Sequence, residues 1–281
     1  MIYNNKKVGI PNVIKIYDLV TEGVTEPVKC RLDNGTDAVV KYQRNRFGSM
    51  VLVNEWIGCH IADLMGLTIP GYGLCTIPQD VILNSDIEEG LGINNSGLAF
   101  FSEYIAETVP INEFFLSKVS NKEVERIILF DILVGDLDRH KGNILCSLRS
   151  NKLYFIDCSH IITSEGYSLS NNLNLRKELS EEKLFDISLL TNPDNIYNIL
   201  CSRVGYREDI LFREAEHIKS VLTDDAIDSI FESIPREWYT SDQARRRVDD
   251  MRKILKTKFS MTDELTAVIA LERRSGEWKK Y

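Results

Sequence analysis

"GDLDRHKGNILCSLRSNKLYFIDCS", residues 135–159, places Asp138, His140, Asn143 and Asp157 at the edges of segments that otherwise read as buried. Just before it, "NKEVERIILFDILV" (Asn121–Val134) spaces Val124, Ile127, Ile128, Phe130, Asp131 and Val134 around a helix apolar enough to be central. Just after Asn143 the chain predicts a hairpin: Ile144–Ser147, a turn at residues 149–151, and a second strand over 153–156. Asp138 thus follows a buried helix, and Asn143 lies five residues on. The hairpin folds Asp157 back beside Asn143, so the three side chains converge.

A carboxylate and an amide oxygen are hard ligands of the kind that hold Mg²⁺ together with substrate phosphates. Asp138 is then left to orient and deprotonate an attacking hydroxyl, the division of labour expected for phosphoryl transfer. Arg139 or Lys141 is positioned to neutralise phosphate charge. The plainer alternative is a polar turn, with Asp138 capping it and Asn143 in a left-handed conformation. His140 reads as a loop-holding residue that bonds backbone. His160 is divided between loop packing and a place beside the metal ligands. His60 and His217 read as structural or surface residues.

Upstream, "VKCRLDNGTDAVVK" predicts two antiparallel strands, Val28–Leu32 and residues 38–42, joined by a D-N-G turn. A helix follows, with Leu52, Trp56, Cys59, Ile61, Ala62 and Leu64 on its apolar positions and Gly66 as C-cap. "TIPGYGLCTIP" reads as a strand with turn punctuation, "LAFFSEYIAE" as a central strand ending in a linker, and "DVILNSDIEEGLGINNSG" as loop. The order strand, strand, helix, strand, strand implies a small antiparallel sheet with one helix packed on it. Lys41 ends one strand, and Glu55 sits fourteen residues later in an apolar helical setting that demands a partner. A Lys41–Glu55 pair satisfies both and aims the ammonium at phosphates. Beyond about residue 178 helical patterns dominate, including "TDDAIDSIFESI" and a helix opened by Thr240 and Gln243 at capping-box spacing. The expected α+β architecture is bilobal: a sheet-plus-helix lobe over residues 1–105 and a mainly helical lobe over 106–281, with the ligand cleft between them.

Composition excludes several classes. Of 281 residues, 43 % are apolar, enough for a sizeable core, and the net charge of −8 argues against a nucleic-acid partner. "QARRRVDDMRKILKTK" is basic, but its interspersed acids suit a solvated helix face equally well. Six cysteines form no CxxC pair and only four histidines are present, so the cysteines read as reduced, buried residues of a cytoplasmic protein rather than structural zinc ligands. No apolar run approaches the ~20 residues of a membrane span, and the first residues lack a signal-peptide pattern. Nothing in the sequence specifies an oligomeric state.

The segments "GVTEPVKCRLDNGTDAVVK", "LVNEWIGCHIADLMGLTIP", "FDILVGDLDRHKGN" and "LYFIDCSH" together resemble the HipA-like kinases, a group with the protein-kinase-like fold. The D-R-H-x-x-N element followed by I-D is also similar to the lipid-kinase version of that fold. The resemblance spans roughly residues 20–160. It implies ATP and Mg²⁺ as cofactors and a protein serine or threonine as the hydroxyl acceptor. It further implies that Lys41 binds ATP phosphates with Glu55 holding it, that Asp138 is the catalytic-loop aspartate, and that Asn143 and Asp157 hold metal. "FSEYI" is similar to the interlobe hinge, where backbone groups of Glu103 and Tyr104 meet adenine. The sequence departs from ordinary protein kinases in two places. No G-x-G-x-x-G loop is present, so Gly35, in the turn before Lys41, is the candidate glycine beside the phosphates. Asp157 is followed by Cys158 rather than Phe-Gly. "QRNRFGSM" resembles a loop that is autophosphorylated in some relatives, making Ser49 a candidate. The chain is also shorter than the toxin-type members, with no sign of their N-terminal partner-binding subdomain. Two other readings compete: a small-molecule kinase, and a catalytically quiet nucleotide-binding interaction module. A DNA-binding regulator is the weakest.

Overall fold

The computed structural model describes residues 9–20, 25–44, 48–85, 95–116, 119–136, 138–162, 196–197, 200–201 and 205–275. Its first lobe is a five-stranded antiparallel sheet in the order β1-β2-β3-β5-β4, formed by β1 (Val13–Leu19), β2 (Val28–Leu32), β3 (Asp37–Lys41), β4 (Tyr72–Ile77) and β5 (Gly97–Glu103). The β2–β3 hairpin closes at the D-N-G sequence. There Gly35 takes φ 87°, and the Asn34 side chain accepts from the Thr36 amide at 3.0 Å. Only glycine enters that left-handed region without steric cost. Cys30, Leu32, Ala38, Val40, Cys75 and Phe101 form a dry core on one side of the sheet.

Helix α1 (Met50–Met65) crosses the other side. Of its sixteen residues only Asp63 and Leu64 are not buried, as expected for a helix apolar on all faces. It stops where Gly66 turns left-handed at φ 72° and Leu67 N–H donates to Ala62 O at 2.9 Å, a Schellman-type ending. A short helix α2 (Gln79–Leu83) follows β4 where the sequence reads as loop.

The second lobe begins with β6 (Thr108–Pro110), which joins β7 (Ile144–Ser147) and β8 (Leu153–Phe155) in a three-stranded sheet, and with the short helix α3 (Glu113–Leu116). Helix α4 (Asn121–Val134) opens on a complete capping box, Ser120 with Glu123, and ends at left-handed Gly135. Against it pack α5 (Glu208–Val221) and α7 (Asp242–Ser260), while α6 (Asp224–Ser233) packs on α7 and α1, and α8 (Thr262–Ser275) on α5 and α7. Buried ion pairs fix these helices to one another. Arg126 on α4 reaches Glu214 on α5 at 2.5 Å and the Gly66 carbonyl at 2.8 Å, and Arg273 on α8 reaches Glu125 at 2.6 Å. The N-cap of α7 is Ser241, which accepts from Ala244 N–H at 3.1 Å, and not Thr240 as the spacing suggests.

Helix α1 is bonded to the second lobe along its length. Ser49 Oγ donates to the Trp238 carbonyl at 2.5 Å, Asn54 Nδ2 to the Ser159 carbonyl at 2.6 Å, and Trp56 Nε1 to Ser233 Oγ at 2.9 Å. The Ser49 hydroxyl, a candidate for modification from the sequence, is therefore an interlobe tie. Residues 45–47 of the same segment lie outside the described residues. So does most of the stretch beyond residue 178 up to 205.

Candidate functional site

A cavity of about 450 Å³ opens between the lobes. Val20 and Val39 roof it, and Leu145 and Ile156 are among its floor residues. Lys41, Glu55, Asp138, Asn143 and Asp157 all line it. An apolar slot with a few converging polar groups is the usual form of a small-ligand site.

At the back, β3 delivers Lys41 and the second turn of α1 delivers Glu55. Lys41 Nζ donates to Glu55 and, at 3.0 Å, to Asp157 Oδ1. One ammonium thus bridges two carboxylates from opposite lobes. Burial works against the Lys41 charge, but Asp157 and Glu55 together raise its pKa. Burial also acts to raise Asp157. Lys41 and the Ser159 hydroxyl and amide overcome it, and hold the Asp157 carboxyl well below the usual carboxylate range. Glu55 is the deeper partner, its side chain 4 % exposed against 29 % for Asp157. Burial lifts Glu55 to about 7 despite Lys41, so Asp157 keeps the charge and Glu55 is the first of the two to protonate. Replacing Lys41 or Glu55 by alanine should weaken nucleotide binding, and the double variant should lose less than the sum. A coupling of roughly 1–3 kcal/mol is expected in a double-mutant cycle on nucleotide affinity. Additive costs would show that the pair is not a functional unit.

Asp157 has φ 63°, in the left-handed region that Asp tolerates when its side chain bonds its own backbone. Here Asp157 Oδ1 accepts from Ser159 N–H at 3.1 Å and Ser159 Oγ at 2.5 Å. This turn takes the place of the missing Phe-Gly and aims the carboxylate into the cavity it lines.

The Asp138 backbone is held on both sides. Its N–H donates to Asp136 Oδ1 at 3.0 Å, and its carbonyl accepts from Asn143 Nδ2 at 3.0 Å. The carboxylate is left half exposed at the cavity wall, 3.9 Å from His160 Nε2. With Nδ2 committed to Asp138, the Asn143 carbonyl oxygen is the end left to act as a ligand. His140 Nδ1 accepts from Gly142 N–H at 2.9 Å, the loop-holding role the sequence suggests. His60 is structural, bonded to the Trp56 carbonyl and packed on Trp56 and Tyr72.

Two expectations change and a third narrows. Arg139 does not face phosphates. Its guanidinium is buried against Asp131 at 3.0 Å, Asp136 at 2.8 Å and the Ile156 carbonyl at 2.6 Å, and Tyr197 caps Asp131 from the other side. Gly35 is not among the cavity-lining residues and sits at a hairpin tip with open space around it. With β1 in place, the strand connection that covers the cavity is the one between β1 and β2, which contributes Val20, Thr25 and Pro27; residues 21–24 lie outside the described residues. At the hinge, Glu103 and Tyr104 line the cavity, but their amides are already used. Glu103 N–H donates to Gly71 O at 2.6 Å and Tyr104 N–H to Asp37 O at 2.8 Å. Ile105 lines the cavity too, and no described hydrogen bond uses its amide. Sequence reasoning did not single out Asp136 and Ile105. The one available signal was Asp131, a lone acid inside the apolar helix "IILFDILV", which implies a buried cation nearby.

A family model described as HipA-like kinase matches residues 13–183, more than half of the chain. The chain belongs to the HipA-like kinase family. Among solved structures, the Helicobacter pylori proinflammatory kinase CtkA is similar over 87 % of this chain and 95 % of its own, with 14 % identity and a TM-score of 0.53. Shewanella oneidensis HipA, solved with HipB and operator DNA, is similar over 90 % of this chain and 68 % of its own, with 10 % identity and a TM-score of 0.50. These likenesses establish the bilobal protein-kinase-like fold for this HipA-like kinase. Comparison with curated proteins gives no match. Among the described residues, no helix is long and apolar enough to cross a membrane.

The donor set at the cavity suits the cofactors that the family implies. Asp157 is held ionised and the Asn143 side-chain Oδ1 is oriented by the bond its own Nδ2 makes, so both offer hard oxygen donors to the cavity that Lys41 also lines.

Proposed function

We propose that the protein is an ATP- and Mg²⁺-dependent phosphotransferase that modifies a serine or threonine hydroxyl of a protein. The observation that carries this reading is the Lys41 ammonium bridging Glu55 and Asp157 in an apolar cavity that Asp138 and Asn143 also line. Asn143 and Asp157 would hold the metal, which when bound supplies charge neutralisation for the transferring phosphoryl group. Lys41, kept in place by Glu55, pairs with the nucleotide phosphates. Val20, Val39, Leu145 and Ile156 sandwich the base, and Ile105 rather than Tyr104 donates its amide to the base edge. Asp138, immobilised through its backbone but open through its carboxylate, orients the acceptor hydroxyl and takes its proton. The half-exposed position of Asp138 suits an acceptor that approaches from solvent, as a protein side chain does.

Calorimetry with ATP should show binding that strengthens with added Mg²⁺, and mass spectrometry after incubation should show phosphate on a protein acceptor. Equal and negligible affinity with and without Mg²⁺ would sink the proposal. Transfer to amino alcohols or sugars but never to protein would redirect it to a small-molecule kinase, and binding without any transfer would make the chain a quiet nucleotide-binding module.

A further inference from the structure

Two thiols on the inner wall of the cavity have no part in the chemistry just described. Cys59 lies one helical turn after Glu55 on α1, and Cys158 follows Asp157. A Glu55 carboxylate oxygen, Cys59 Sγ and Cys158 Sγ all lie within 4.8 Å of one another. All three residues are buried, and all three line the cavity, so a path from solvent exists. The close approach depends on Gly58. A Cβ there would stand 2.4 Å from Cys158 Cβ and 2.8 Å from its Sγ, so glycine is what lets Cys158 lie on the helix beside Cys59.

We propose that Glu55, Cys59 and Cys158 form a site for one thiophilic divalent cation, of the Zn²⁺ or Cd²⁺ type, on the back wall of the cavity. Two sulfurs and one carboxylate oxygen leave a fourth tetrahedral position open toward the cavity, the pattern of an accessible zinc site rather than a closed structural one. Zn–S bonds of about 2.3 Å place tetrahedral sulfurs roughly 3.8 Å apart, so small side-chain rotations bring the three donors onto one ion. Hard Mg²⁺ has no preference for these sulfurs, which separates this site from the Asn143–Asp157 pair. Binding replaces two S–H protons by two metal–sulfur bonds, and the protons leave to solvent through the cavity. The local charge is then unchanged: one dication enters and two protons depart, which makes a buried cation acceptable there. The ion shares the Glu55 carboxylate with Lys41 and sets a second cation beside the ammonium, which weakens the Lys41–Glu55 pair. Metal occupancy and the nucleotide-ready Lys41–Glu55 pair therefore oppose each other, a consequence that rests on the functional reading above.

The test uses the full chain, reduced and free of nucleotide. Titration with Cd²⁺ should give a thiolate-to-metal charge-transfer absorption that saturates at one ion per chain. The band should disappear in the Cys59→Ala/Cys158→Ala protein and persist in Cys75→Ala, which removes a buried cysteine lying off the cavity. In the unaltered protein, Zn²⁺ should protect Cys59 and Cys158 against alkylation, mapped by mass spectrometry, without protecting Cys201. This arm needs no variant to fold. A band that is absent, or that survives loss of both cysteines, overturns the site whatever the nucleotide does. The band with its expected losses supports the site even in a protein that fails to bind nucleotide. Where nucleotide binds, protein preloaded with one Zn²⁺ and desalted should show at least a tenfold weaker nucleotide affinity. An unchanged affinity in the loaded protein overturns that opposition.

Discussion

Changing Asp138 to asparagine should cut phosphoryl transfer by roughly 10²–10⁴-fold, the range for loss of a positioned acid–base group, while Mg²⁺-dependent ATP affinity stays near that of the parent. The substitution preserves shape. The Asp138 amide and carbonyl, bonded to Asp136 and Asn143, are untouched, so the loop should keep its conformation. What is lost is an acceptor charge that acts mainly as the hydroxyl is deprotonated, so the effect falls on turnover and not on ground-state binding. Asp157→Asn should behave in the opposite way. It removes an anionic ligand and also one of the two carboxylates on Lys41, so metal-dependent ATP binding should weaken by roughly 10–100-fold along with turnover. Asn143→Ala should fall between, since it removes a neutral ligand and the brace on the Asp138 carbonyl together. Measuring ATP affinity against Mg²⁺ concentration, and turnover, for all three variants decides the roles. If Asp138→Asn loses metal-dependent binding while Asp157→Asn keeps it, the assignments are exchanged. If all three match the parent, the loop is a structural turn.

The elements that hold these residues were legible where the signal is local. Helix α4 declares itself through the helical spacing of Val124, Ile127, Ile128, Phe130 and Val134, helix α1 through its apolar positions and Gly66, and the β7–β8 hairpin through two short apolar runs around a turn. Strand β1 is illegible for a physical reason. Its pairing with β2 shifts register between Val13 and Lys15 and again between Ile16 and Asp18, so the buried residues do not recur every second position. Without β1 the β2–β3 turn is the only glycine-bearing turn ahead of Lys41, whereas the connection that lines the cavity is the β1–β2 one, through Val20, Thr25 and Pro27. The state of the hinge amides is illegible for a different reason. Whether a backbone N–H is committed depends on which strands and loops lie beside it, and the pairing of Glu103 with Gly71 and of Tyr104 with Asp37 joins residues far apart in the chain. Lys41, Glu55, Asp138, Asn143 and Asp157 were legible as a set because each stands at an element boundary or in an apolar context that its charge does not suit.

Arg139 gives the other large effect, and it falls on stability. Read from the string D-R-H-K, it is a cation near phosphates, and its loss should then weaken nucleotide binding in a protein of normal stability. Read from the structure, it is a buried keystone. Its side chain is 1 % exposed, Asp131 and Asp136 are as deeply buried, and its third contact is the Ile156 carbonyl just before Asp157. Arg139→Ala strands two buried carboxylates and should cost about 3–5 kcal/mol, the range for breaking a buried pair from one side. Arg139→Lys should recover little, because one ammonium cannot replace a planar fork that reaches several acceptors at once. Burial already lifts Asp131 to about 7 with Arg139 opposing it, from an ordinary value of 3.8. A carboxyl raised on folding favours the folded state when protonated, so its cost grows as pH rises from about 4 through 7. Without Arg139 that window should extend upward. The deficit of Arg139→Ala should therefore be smaller at about pH 5 than at about pH 8, and Asp131→Asn in the same protein should relieve part of it. Denaturant unfolding at the two pH values measures both. Normal stability for Arg139→Ala, with nucleotide affinity reduced, would return the guanidinium to the phosphates and remove the brace that links Asp131, Asp136 and the strand end before Asp157.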